Sequence, residues 1–266
     1  MIEFIFVNLK KTNSKMKGIC KLCKKEEKLT YEHFPPRAAF NKKTKFQLIG
    51  INDYYKNFNN YYFEKKPIIK SKINQGGIGS YCLCENCNNF LGYSYSNDYI
   101  KLAKLANSLL KNYDFKSIEF SFEKKEINLK NVLKQILSII ICNNDFWFTK
   151  EYPELLEFVM NKNSTFLPEK YKIYMYLNNE GVIRNGGYHF INTFGNICDF
   201  AFRPLGFVLS INNGSRINIL CDITRFKFYE YMNINIINLT LNKLPTHSPY
   251  PMDFREYDDL KNEYSK

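Results

Sequence analysis

The stretch that decides the fold runs from Gly18 to Phe40, GICKLCKKEEKLTYEHFPPRAAF. It opens with a Cys-x2-Cys knuckle, Cys20 and Cys23, and continues into a strand-like LTYEHF that stops at a double proline. Far downstream the same spacing returns as Cys84 and Cys87 in CENC, followed at once by Asn88. Two sulfurs on one tight turn can reach a single ion at about 2.3 Å, and four thiolates suit tetrahedral zinc with every position closed. Cys20, Cys23, Cys84 and Cys87 are therefore the expected ligands of one structural Zn2+, the alternative being buried free cysteines that pair by chance. Cys82 offers a competing C-x-C arrangement with Cys84, but a strand residue two before the knuckle is the simpler reading.

Eight cysteines, five of them in or beside the two knuckles, do not form a secreted disulfide framework. The expected compartment is cytoplasmic and reducing. No apolar run approaches the roughly 20 residues of a membrane span, and Val132–Cys142 reads as an amphipathic core helix. The apolar opening, Met1–Leu9, is too short for a secretory core and reads as a short strand or the product of an upstream start. Residues 1–17 are an amino-terminal extension on this reading.

The formal charge of +12 is uneven: residues 1–100 carry 17 Lys and Arg against 8 Asp and Glu, and the rest carry 21 against 18. The positive field thus sits beside the cysteine motif, where it favours a polyanionic partner, with plainly solvated lysines as the alternative. An insertion over 41–71 concentrates Lys42, Lys43, Lys45, Lys56, Lys65, Lys66 and Lys70 among Tyr and Phe. Such a loop can track a nucleic-acid backbone and stack on unpaired bases, or lie solvated with its rings tucked in.

Residues 18–97 form the expected amino-terminal domain, and 98–266 a helical connector with a carboxy-terminal α+β domain of several antiparallel strands. Asp98–Asn112, Asn128–Cys142 and Pro153–Met160 have helical spacing. SIEFSFEKKEINL from Ser117 reads as a strand or hairpin. YKIYMYL, HFINTF, ICDFAF, GFVLSI and RINILCDI read as short strands separated by Asn- and Gly-rich turns. Trp147 is expected as a core anchor, Cys142, Cys198 and Cys221 as buried thiols, and His189 and His247 as structural.

The order Cys-x2-Cys, Glu32-His33-x-x-Pro36, Cys-x2-Cys-Asn88 resembles the zinc-bearing branch of the HNH (His-Me finger, ββα-metal) endonucleases, the branch that includes phage recombination endonuclease VII. The similarity covers about residues 18–95. It implies an α+β fold with a zinc-stapled, treble-clef-like ββα-metal domain and the hydrolysis of phosphodiester bonds, with DNA as the expected substrate. His33 would be the general base, Glu32 and Asn88 would hold a catalytic Mg2+ or Mn2+, and Arg37 would contact a phosphate unless it is an ordinary surface arginine. Glu32 departs from the Asp of many members, and Asn89 competes with Asn88. Asn74 is either the middle Asn of the family name or, more simply, a turn residue before glycines. The resemblance further suggests a setting in prokaryotic defence or a mobile element, and a homo-oligomer would pair two nicking centres. The rival readings are a non-catalytic zinc module that binds nucleic acid and an RNase with the same site.

Overall fold

A computed structural model describes residues 3–6, 17–49, 73–212, 217–256 and 258–260. In chain order the strands are β1 (Glu3–Phe6), β2 (Lys17–Ile19), β3 (Glu26–His33), β4 (Phe46–Ile49), β5 (Ile73–Asn74) and β6 (Gly79–Cys84). Helix α1 (Glu85–Leu91) follows β6 directly, and a π-helical turn, Gly92–Ser96, carries the chain into α2 (Asn97–Asn112). Then come β7 (Ser117–Glu123), α3 (Leu129–Asn143), α4 (Phe146–Glu151) and α5 (Pro153–Met160). The last third holds β8 (Tyr171–Leu177), β9 (Arg184–Ile191), β10 (Gly195–Phe202), β11 (Leu205–Ile211), β12 (Cys221–Asp222) and β13 (Ile236–Asn242). The chain is thus mixed α and β, its sheets mainly antiparallel, with the four knuckle cysteines grouped near its beginning.

The largest sheet has the order β12-β8-β11-β10-β9, every neighbour antiparallel. β8 and β11 are apolar on both faces because both faces are covered. Ile173, Met175, Phe207 and Leu209 face the main core, while Tyr174, Tyr176 and Val208 face a smaller cluster with Met252. The tail is fastened there by a buried ion pair, Arg184 to Asp199 at 2.7 Å. Arg184 also donates to the Ser248 and Asp253 carbonyls, and the Met252 amide donates to the Asp199 carboxylate.

Helix α3 lies inside the main core. Its side chains from Leu129 to Cys142 are nearly all buried, including the polar Gln135 and Ser138. Asn128 caps its start by accepting from the Asn131 amide, which satisfies one of the orphan donors of the first turn. Its other end meets the first cysteine knuckle: Lys21 Nζ donates to the carbonyls of Cys142 (2.6 Å) and Asn144 (2.7 Å). A cation at a helix carboxy-terminus pairs with carbonyls that have no partner within the helix and opposes the helix dipole. Lys24 reinforces the contact by donating to Thr149 Oγ1 in α4. One continuous core joins Cys20, Cys84 and Cys87 to α3 and the main sheet.

Four expectations are corrected here. Of the two readings of the stretch from Ser117, strand or hairpin, the strand holds over Ser117–Glu123 and the hairpin does not, its antiparallel partner being β13, with Phe120 opposite Leu239. The sequence reading named no element over Ile236–Asn242, which forms β13. RINILCDI supplies only the two residues of β12, since Ile217–Leu220 turns and Arg216 lies outside the described residues. HFINTF is not a strand either: it straddles the end of β9 and the turn into β10.

Trp147 is the fourth, being 46% exposed, whereas Phe148 is fully buried. The single long turn of α4 turns Phe148 and Thr149 inward, and Trp147 rests edge-on against Tyr188. Cys142 and Cys198 are buried as expected; Cys221 is half-buried.

Replacing Lys21 with Met would strand the two α3 carbonyls and is expected to cost about 2 kcal/mol, the order of a pair of charge-assisted hydrogen bonds. A lowered urea midpoint at unchanged slope is the result to look for.

Candidate functional site

β2 and β3 form a hairpin with Lys17 opposite Lys28 and Ile19 opposite Glu26, and its turn carries Cys20 and Cys23. The turn closes through Cys20 N to Lys25 O and Lys24 N to Cys20 O, with Lys24 in the left-handed conformation (φ 62°). β3 then pairs antiparallel with β6, Leu29 opposite Cys84 and His33 opposite Gly79. Cys84 ends β6 and Cys87 lies in the first turn of α1, so a strand end and a helix start carry the second knuckle.

The four sulfurs lie within 4.8 Å of one another, with Cys23 and Cys84 3.7 Å apart. A tetrahedron with arms of about 2.3 Å has edges of about 3.8 Å, so this cluster can hold a metal such as zinc. Burial raises the Cys84 thiol, and it raises Cys87 further with the help of the neighbouring sulfurs. Cys20 is buried too, yet amide donors from Cys84, Cys23 and Leu22 bring it below its ordinary value. Hydrogen bonds thus favour the Cys20 thiolate, whereas Cys84 and Cys87 would need a cation beside them to favour theirs.

At the far end of β3, His33 Nε2 lies 3.1 Å from the Gly76 carbonyl. A carbonyl oxygen only accepts, so Nε2 carries the proton and Nδ1 is left as a lone pair. Partial burial lowers the His33 pKa, with the Arg37 charge acting in the same direction against the Gly76 bond. The neutral imidazole is therefore the favoured form. Tyr31 packs edge-on against His33 at 4.9 Å and donates to the Gly77 carbonyl, bracing both ring and loop.

Strand alternation turns Glu32 to the opposite side from Tyr31 and His33. It is 8% exposed, and burial pushes its carboxyl up to about 8. No hydrogen bond or ion pair to its carboxylate occurs among the described residues, and the Cys142 thiol feels its charge. A buried hard-oxygen acceptor without a partner is costly as an anion unless a cation joins it. Asn88, immediately after Cys87, rests on the same strand: its amide donates to Thr30 Oγ1 (2.9 Å) and to the Tyr31 carbonyl (3.4 Å), leaving Oδ1 as an acceptor. Asn89, one helical step on, is exposed.

The loop that aims His33 is fixed by a residue the sequence reading missed. Asn41 is fully buried and donates to the Pro35 (2.7 Å) and Ile78 (2.8 Å) carbonyls while accepting from the Ile78 amide (2.7 Å). It welds the segment after the double proline to the Gly76–Ile78 turn. Gly77 makes the closeness possible, since a Cβ there would lie 2.1 Å from Asn41 O and 3.0 Å from His33 Cδ2. Asn74 is not in that turn: it pairs with Phe46 in the β4-β5 ladder. Nothing in PPRAAFN distinguishes Asn41 from the many other asparagines of the chain; only its burial does.

Arg37 is exposed and within electrostatic reach of His33. Of the basic insertion, Lys42, Lys43 and Lys45 are exposed, while Lys56, Lys65, Lys66 and Lys70 lie outside the described residues. A second group of ligand types, Glu180, His247 and Glu256, lies together on the surface. No helix among the described residues is long and apolar enough to cross a membrane. Compared with protein-family models, curated proteins and solved structures, the chain matches none.

Glu32 gives the site a pH signature. Folded, it keeps its proton to about 8, whereas unfolded it loses it near the ordinary 4.5. Between those values the folded state binds more protons, so stability falls as pH rises through the window. In the zinc-loaded protein without added Mg2+ or Mn2+, Glu32→Gln is expected to remove that fall; identical pH profiles for the two proteins in urea unfolding would contradict it.

Proposed function

We propose that this protein is a metal-dependent endonuclease of the HNH type that hydrolyses phosphodiester bonds of nucleic acid, with DNA the first substrate to test. The observation that carries the reading is His33: a neutral imidazole at a strand end, its Nε2 proton given to a backbone carbonyl and its Nδ1 lone pair without a partner among the described residues. That is the state a general base needs near neutral pH. The same strand carries the buried Glu32, whose carboxylate has no hydrogen bond or ion pair among the described residues, and Asn88, whose helix begins at the four-cysteine cluster, rests on it.

The roles follow from the chemistry of each group. His33 Nδ1 takes the proton of the attacking water, the Gly76 carbonyl keeps the ring in the right tautomer, and Asn41 fixes the turn that follows Gly76 through the Ile78 amide and carbonyl. Arg37 offers a planar fork of donors to the phosphate oxygens. Glu32 and Asn88 Oδ1 are hard oxygen donors that suit Mg2+ or Mn2+. When bound, that ion would act as a Lewis acid for the negative charge that develops on the phosphate. Zn2+ in the four-cysteine cluster, with every position filled by sulfur, would be structural and would set where α1 starts and so where Asn88 stands.

Two experiments test this. Supercoiled plasmid incubated with Mg2+ or Mn2+ is expected to be nicked by the wild type and about 10²–10⁴-fold more slowly by His33→Ala, the usual worth of a general base. Equal nicking by the two proteins, or none by either, favours a non-catalytic zinc module instead, and RNA offered in parallel decides between substrates. Elemental analysis is expected to find one zinc per chain, lost together with the folded state in Cys87→Ala; a folded, zinc-free wild type would remove the structural half of the proposal.

A further inference from the structure

The turn from Arg37 to Lys45, RAAFNKKTK, contains four cationic side chains and no carboxylate. Arg37, Lys42, Lys43 and Lys45 are all exposed, and none of them makes an ion pair among the described residues. At the centre of the turn stands Phe40, 44% exposed. Its backbone is left-handed, φ 69° and ψ 1°, a conformation that glycine adopts freely and a bulky side chain adopts at a cost. The residues on either side leave it no choice: Ala39 is buried, and Asn41 is fully buried and held by three hydrogen bonds. The fold therefore holds an aromatic ring outward among cations, in a strained backbone that a glycine at this position would relax.

The turn also has a place. Gly77 packs between the His33 ring and the Asn41 carbonyl, so Phe40 is joined to the residue that flanks the proposed general base. Strain of this kind persists only where the surrounding structure holds it, and it clusters at functional sites. A cluster of uncompensated cations recruits phosphates, and an outward ring among them has a π-face to offer to a base. A paired base inside a duplex has both faces occupied by its stacked neighbours, so the ring fits an unpaired one.

We propose that Phe40, flanked by Arg37, Lys42 and Lys43, is a base-stacking tip that selects nucleic acid with an unpaired nucleotide near the scissile phosphate. The inference rests on the nuclease reading for the position of the cut, but not for binding, which is measured apart from cleavage. It adds a substrate class, strands with unpaired bases, to the proposed reaction.

The test is fluorescence anisotropy of the zinc-loaded full chain with labelled single-stranded DNA, single-stranded RNA and the matching DNA duplex, without added Mg2+ or Mn2+. The wild type is expected to bind at least one single strand more tightly than the duplex. Phe40→Gly is expected to weaken that binding about tenfold, the order of one base–aromatic stack, with duplex binding unchanged. Phe40→Trp should retain the preference. Phe40→Gly should also melt no lower than the wild type, because glycine relieves the left-handed turn, which separates lost binding from lost folding. Unchanged single-strand affinity in Phe40→Gly, equal weakening for strand and duplex, or no binding by the wild type would each overturn the proposal. His33→Ala distinguishes the two readings. Phe40-dependent binding in a protein that never cleaves would sink the nuclease and keep the tip; cleavage with Phe40-independent binding would do the reverse.

Discussion

The arrangement depends on the meeting of four sulfurs from two distant knuckles. A short antiparallel pair and a seven-residue helix bury too little surface to hold their own geometry, because short isolated elements are marginal in water. Bringing Cys20 and Cys23 from a hairpin turn against Cys84 and Cys87 from a strand end and helix start ties β3, β6 and α1 at one point. β3 leaves that point and delivers Glu32 and His33 at its other end; α1 leaves it and delivers Asn88. A strand of eight residues is stiff over about 25 Å, so order imposed at the knuckle is carried to the far end.

A second constraint works at that far end. Asn41 uses both its amide donor and its carbonyl acceptor to join the segment after the prolines to the Gly76–Ile78 turn, and the Gly76 carbonyl then orients His33. A buried side chain whose polar atoms are all matched stabilises one geometry far better than its alternatives. The same clamp that aims the His33 imidazole holds Phe40 at the surface, so a single buried amide sets both the ring and the surface next to it. The cysteine hairpin is in turn docked on α3 through Lys21, which couples the site to the main core.

Much of this was legible in the sequence, for reasons that differ by residue. The knuckles were readable because the geometry of a four-thiolate site constrains local spacing, and β8, β10, β11, α2, α3 and α5 were readable because burial writes a period into the residues. β13 was not, since its pairing with β7 is set by tertiary contact across more than a hundred residues. Trp147 misled because hydrophobicity alone does not say which side of a one-turn helix faces the core. Asn41 was invisible because its role depends on three hydrogen bonds to residues that only the fold brings near. The HNH reading itself rests on a few residues in order, of which the structure brings the four cysteines together.

The most direct measurement of the central claim is X-ray absorption at the zinc edge of the purified protein. Four thiolates closing a structural site predict a single shell of four sulfurs at about 2.3 Å and no light-atom ligand. A mixed shell containing nitrogen or oxygen would mean that the metal is not closed off by the two knuckles, and would contradict the account at its foundation.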